Sequence, residues 1–198
     1  MTEPNNNIAD LSGPMVMLAL EFEYLIKERN LKAKIYETRR SKERQAELFN
    51  LGYSKIKSGG MHEYGMAFDV VFEGKKPWDN SHPWDKLGQI GHDLGLYWGG
   101  DWHGFVDRPH FQYIPATVTE QDRIRQGYMP PMPFPTLHIG HRGPQVVILQ
   151  QGLRLKNYPV KLDGIFGNNT KDAVIQYQKS NHLTGDGVCR WGLWKAFI

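Results

Sequence analysis

From Met129 to Pro135 the chain reads Met-Pro-Pro-Met-Pro-Phe-Pro, four prolines in seven residues. Each proline fixes φ and removes a backbone N–H, so the run can sustain neither a helix nor a central strand. It favours an extended, semi-rigid spacer. The sequence therefore predicts two domains, residues 1–128 and 137–198, with a Pro-rich linker at 129–136.

The two parts differ in charge. Residues 137–198 carry eight Lys/Arg against three Asp, a net of +5, while the remainder is net −2. A basic tail domain suits an anionic polymer, and nucleic acid, anionic lipid and bacterial wall polymer all fit. No stretch approaches the roughly 20 apolar residues of a membrane helix. The opening residues, MTEPNNNIAD, have neither a basic n-region nor an apolar h-region. The chain is thus expected to be made in the cytoplasm without a secretory signal. Cys189 is the only cysteine, so no intramolecular disulfide or Cys-rich metal cluster can form. Its expected role is that of a small buried apolar residue. Any metal site must use histidines and carboxylates.

In the first part, Met15, Leu18, Phe22, Leu25 and Ile26 fall at helical spacing and predict a helix over 14–29. Ser41 is placed to cap a second helix, with Leu48 and Phe49 as apolar anchors and Gly52 as its stop. Residues 67–72 are short, β-branched and glycine-bounded, the signature of a strand. Pro83 opens a third helix with Leu87, Ile90 and Leu94 inward and Gly95 at its end. Residues 110–114 read as another strand, closed by Pro115. Helices mixed with short strands, without βαβ regularity, indicate an α+β domain built on a small antiparallel sheet with flanking helices. The second part reads as a small all-α three-helix bundle. Val146, Leu149 and Leu153 stripe its first helix, Thr170 opens the second, and residues 191–197 form the third.

Two segments carry the chemistry. One runs Ser58-Gly-Gly-Met-His62-Glu-Tyr-Gly65-Met-Ala67-Phe-Asp69, the other Trp98-Gly-Gly-Asp-Trp102-His-Gly-Phe-Val-Asp107-Arg-Pro-His110-Phe. Gly65 permits a tight turn that could bring the His62 imidazole and the Asp69 carboxylate to one point. His110 opens a strand that could lie beside the first. Two histidines and one carboxylate leave one tetrahedral position of zinc open for water, as a hydrolytic site requires. Asp107, not needed as a ligand, could receive the proton of that water. An Asp in an apolar strand needs compensation for its burial, and a metal supplies it.

The pattern His62-x-x-Gly65-x-Ala67-x-Asp69 with Asp107-x-Pro109-His110 resembles the zinc peptidases of the D-Ala-D-Ala carboxypeptidase and dipeptidase group. The Trp98-Gly-Gly-Asp-Trp102 stretch is similar to the L-alanyl-D-glutamate peptidase branch found in phage endolysins, and Arg40-Ser41-x-x-x-Gln45 resembles the family's Arg-Ser/Thr-x-x-x-Gln segment. The resemblance covers about residues 15–115. It implies Zn2+ held by His62, Asp69 and His110, and Asp107 as general base. It further implies Arg40, with Arg39 the adjacent alternative, as oxyanion stabiliser or carboxylate anchor. Gly60 departs from the Ser that the family places two residues before its first His.

Residues 137–198 resemble three-helix peptidoglycan-binding domains at Leu149-Gln150, Asp163-Gly164-x-Phe166-Gly167-x-x-Thr170, Tyr177-Gln178 and Asp186-Gly187. Together the resemblances imply a monomeric endolysin that cuts the L-Ala-D-Glu bond of bacterial peptidoglycan, reaching the wall through a holin pore. They imply neither a nucleic-acid nor a membrane partner. A D,D-carboxypeptidase and an inactive wall-binding protein are the alternatives.

Overall fold

Phe22, Phe68 and Phe111 meet edge-on and stacked, with ring centroids 4.7 to 5.7 Å apart, and fix the core of the first unit. The structure, a computed structural model, describes residues 2–113, 118–127 and 134–197. Ile114, Pro115 and prolines 130, 131 and 133 lie outside the described residues. The chain divides into two units, one of residues 1–91 with 96–132 and one of residues 92–95 with 133–198.

In the first unit, α1 (Pro14–Glu28) leads to β1 (Ala33–Glu37), α2 (Lys42–Asn50), β2 (Ala67–Phe72), α3 (Trp84–Asp93), β3 (Tyr97–Trp98), β4 (His110–Gln112) and α4 (Val118–Arg125). The strands form one antiparallel sheet in the order β1-β2-β4-β3. The stripe expected on α1 is buried, each of its five residues at most 4% exposed. It packs on the sheet face that carries Phe68 and Phe111, which are register partners. Burying a phenylalanine this fully contributes about 1.5–3 kcal/mol.

The opposite sheet face carries a polar row. Asp69 pairs with His110 on β4 and with Glu37 on β1, so three chemistry-bearing side chains stand in one row across three strands. A register shift between Ile35 and Glu37 creates that row. Such a bulge re-aims side chains, here placing both Tyr36 and Glu37 on the cleft side.

α2 departs from expectation. Ser41 caps it as read, its Oγ accepting from Arg44 N at 3.1 Å. Its buried residues, however, are Arg44 and Gln45, while Phe49 is exposed. The helix turns a polar face inward because that face serves ion pairs and hydrogen bonds.

The second unit holds α5 (Pro144–Leu155), α6 (Asn168–Ser180) and α7 (Trp191–Trp194). Val146, Leu149, Leu153, Phe166, Val174, Cys189 and Trp194 are fully enclosed. Burial also pushes the Cys189 thiol well up, in keeping with an inert core residue. Thr170 does not cap α6. It sits one turn in, buried, accepting from Gln150 Nε2 at 3.1 Å and donating to Ile165 O at 3.2 Å. Two glutamines lock the turns. Gln150 accepts from the backbone N–H groups of Asp163 and Gly164 and donates to Asp163 Oδ1. Gln178 repeats the pattern with Gly187 N and Asp186 Oδ1.

Candidate metal centre

His62 rides on a 3-10 turn, Met61–Tyr64, that ends at Gly65 with φ +68°. A Cβ at Gly65 would also approach Ser12 Oγ to 2.7 Å and Ser12 N to 2.8 Å, so only glycine lets this turn close. The ring's Nδ1 donates to Thr38 O at 2.7 Å, and that carbonyl can only accept. Thr38 is itself fixed from behind, its N–H and hydroxyl both reaching Asn5 O and the hydroxyl also Asn7 O. Nε2 of His62 then faces Asp69 Oδ1 at 3.2 Å and His110 Nδ1 at 3.2 Å. His110 points its Nε2 at Gln112 Oε1, 2.9 Å away, and its Nδ1 at Asp69 Oδ1, 3.3 Å away.

With each outer nitrogen facing an acceptor, the inner nitrogens of neutral rings present lone pairs to one another and to a carboxylate oxygen. With both rings neutral, three lone pairs converge on one point, an arrangement that suits a cation. Four-coordinate zinc with arms of about 2.0–2.1 Å separates its ligands by roughly 3.3 Å, the spacing found here. Among the described residues this is the one group of three His, Cys, Asp or Glu side chains able to share an ion.

Electrostatics follow the geometry. Burial opposes ionisation of Asp69, but His62, His110 and Arg40 outweigh it and hold the carboxyl well below its usual range. Burial likewise disfavours charge on His110, yet hydrogen bonding to Asp69 and the charges of Asp69 and Asp107 raise its pKa.

The cluster opens on a cleft of about 830 Å³ whose lining includes Trp102, Phe105, Tyr36 and Trp78. Trp102 lies over His110, ring centroids 5.0 Å apart. Asp107 lines the same cleft, and burial, followed by the like charge of Asp69, raises its pKa. Its loop is seated on the Trp-Gly-Gly stretch. Asp107 N donates to Gly99 O at 2.9 Å, and a Cβ at Gly99 would stand 2.3 Å from Asp107 O. The Trp98 indole N–H reaches Arg108 O at 2.7 Å.

Arg40, not Arg39, belongs to the cleft, and Arg39 is exposed. Arg40 is already heavily engaged: its Nε and Nη2 donate to Glu37 Oε2, its Nη2 also to Asp69 Oδ2, its Nη1 to Gln45 Oε1. Of five guanidinium protons one is left for anything else. At Gly60 a side chain would bring Cβ to 2.9 Å from Ile56 Cδ1, so Ile56 occupies the space where the family carries serine. Sequence reasoning missed Glu37, Arg44, Gln112 and Thr38. Only the short spacing of Gln112 from His110 along one strand face could have signalled any of them.

Residues 55–113 match the family described as D-alanyl-D-alanine carboxypeptidase, and residues 142–189 match the putative peptidoglycan binding domain. Each match covers less than half of the chain. The peptidase match contains His62, Asp69, Asp107 and His110. Among relatives, the L-alanyl-D-glutamate peptidase of Listeria phage A118 is 42% identical over 83 residues, 40% of this chain and 29% of the relative. The peptidoglycan L-alanyl-D-glutamate endopeptidase CwlK of Bacillus subtilis is 34% identical over 100 residues, 41% of this chain and 60% of the relative. This chain therefore spans less than two thirds of either. The solved structure of the Serratia marcescens L-Ala D-Glu endopeptidase ChiX aligns at 26% identity and TM-score 0.40, covering 54% of this chain and 82% of its own.

Proposed function

We propose that the protein is a zinc peptidase that hydrolyses the L-Ala-D-Glu bond of the bacterial stem peptide and is held on the wall by its peptidoglycan-binding domain. The convergence of His62 Nε2, Asp69 Oδ1 and His110 Nδ1 on one point carries this reading. The names of the two relatives supply the bond.

Zinc bound there would polarise the scissile carbonyl and acidify water from about 15.7 towards 7. Thr38 O and Gln112 Oε1 hold the two imidazoles in the required orientation. Asp107 accepts the proton of the attacking water and returns it to the departing amine. Its raised pKa suits a proton carrier better than an ordinary carboxylate's would. Arg40 offers its one remaining guanidinium proton to the carbonyl oxygen as that oxygen becomes negative.

Product analysis tests the assignment. Digested peptidoglycan should yield new L-Ala C-termini, abolished by a chelator and restored by zinc. The matched family's description favours a second reading, D,D-carboxypeptidase activity. Release of free D-Ala in place of new L-Ala termini would select it. Retention of full lysis in metal-free protein would remove both.

A further inference from the structure

Glu37 and Asp69 are register partners on β1 and β2, two carboxylates side by side on one sheet face. Left alone, such neighbours repel strongly in a partly desolvated place. Arg40 stands between them, Nη2 at 2.6 Å from Glu37 Oε2 and 2.9 Å from Asp69 Oδ2, with Nε also on Glu37 at 3.0 Å. Arg44 takes the other Glu37 oxygen at 2.9 Å and anchors itself on Thr2 O at 2.7 Å. Glu37 is 2% exposed, so this arrangement is built in rather than a passing surface pairing.

The sharing is unequal. Arg40 makes two contacts to Glu37 and one to Asp69, and the Asp69 oxygen it touches, Oδ2, is not the one facing the histidines. A guanidinium neutralised by Glu37 competes weakly for Asp69. Without that neutralisation its full charge would lie 2.9 Å from the carboxylate and oppose any cation arriving at Oδ1.

We infer that Glu37 is a positioning residue that holds and neutralises Arg40, so that Asp69 keeps its donor strength toward a divalent cation. The inference rests on the reading of the His62–Asp69–His110 cluster as a zinc site. In Glu37→Gln, the new amide N–H2 would confront the donors of Arg40, while Oε1 could still accept from Arg44. In Glu37→Gln/Arg40→Gln, that amide meets a glutamine oxygen instead, and the local net charge returns to that of the starting pair.

Zinc affinity of the full chain, measured by competition with a chromophoric chelator, provides the test, with circular dichroism verifying the fold. Glu37→Gln should bind zinc about 10–100-fold more weakly. The double variant should recover to within about threefold of the unaltered protein. An unchanged affinity in Glu37→Gln overturns the inference. So does a double variant as weak as the single, because that marks Glu37 as merely structural. If Glu37→Gln fails to fold, the double variant alone decides by the same threefold criterion. Failure of the unaltered protein to bind zinc would instead defeat the proposed function.

Discussion

Two imidazoles that each spend their outer nitrogen on a fixed acceptor have no choice about what their inner nitrogens present. Gln112→Leu frees His110 from that constraint and should weaken zinc retention about 10–100-fold, read by chelator competition, with the fold unchanged. Asp107→Asn keeps the cluster intact and removes the proposed proton acceptor. Zinc content should be unaltered, while turnover of a soluble muropeptide falls about 10²–10⁴-fold. In the proposed mechanism the ionised carboxylate is the working form, and its pKa is raised. The acidic limb of kcat/KM is therefore expected above the ordinary 3.8 and should vanish with the residual activity of Asp107→Asn. At this scale the sequence was informative where chemistry is written in residue type and spacing, as for His62, Asp69, Asp107 and His110. Glu37 and Arg44 were invisible because their importance comes from a strand register and a helix face, neither of which a motif spells out.

Elements explain why those residues meet. The Trp-Gly-Gly stretch is a seat for the Asp107 loop, so Gly99→Ala should force that loop away. A displacement of about 1 Å can cost 10²-fold in turnover, which steady-state kinetics on a soluble muropeptide would detect. In the second unit, the Gln150 amide closes the turn that starts at Asp163. Hydrogen bonds from Gln150 and the Ile165 N–H hold the Asp163 carboxyl below its usual 3.8. The folded value lies below the unfolded one, so the ionised group favours the fold. Its contribution is complete above about 3.8 and is lost as pH falls through the lowered folded value. Thermal melting of residues 137–197, followed by NMR, should show an acid-side loss that Asp163→Asn lacks. The α1 and α5 stripes were legible because apolar periodicity decides their burial. α2 misled because its interior face is charged, and a search for apolar residues settles on Leu48 and Phe49 instead of Arg44 and Gln45. β1 escaped because five residues with one exposed lysine give too short an alternation to stand out.

Taken as a whole, the proposed function makes the chain a reaction domain coupled to an anchoring one. Raising local substrate concentration needs no new contact at the cleft. A version lacking residues 134–198 should therefore turn over soluble muropeptide at the same rate but clear intact wall far more slowly. Equal clearance would show that the anchor contributes nothing. The proline run alone predicts two parts, and the chain divides into two units, the second of which also takes in residues 92–95. How the first unit is stitched together was not readable in the sequence, since residues far apart in sequence supply its supports. Asn5 and Asn7 hold Thr38, and the Thr38 carbonyl steers His62. On the zinc reading, a proteolytic nick after Asn7 would thus loosen the grip on His62, and losses of zinc on storage would track the integrity of residues 2–7.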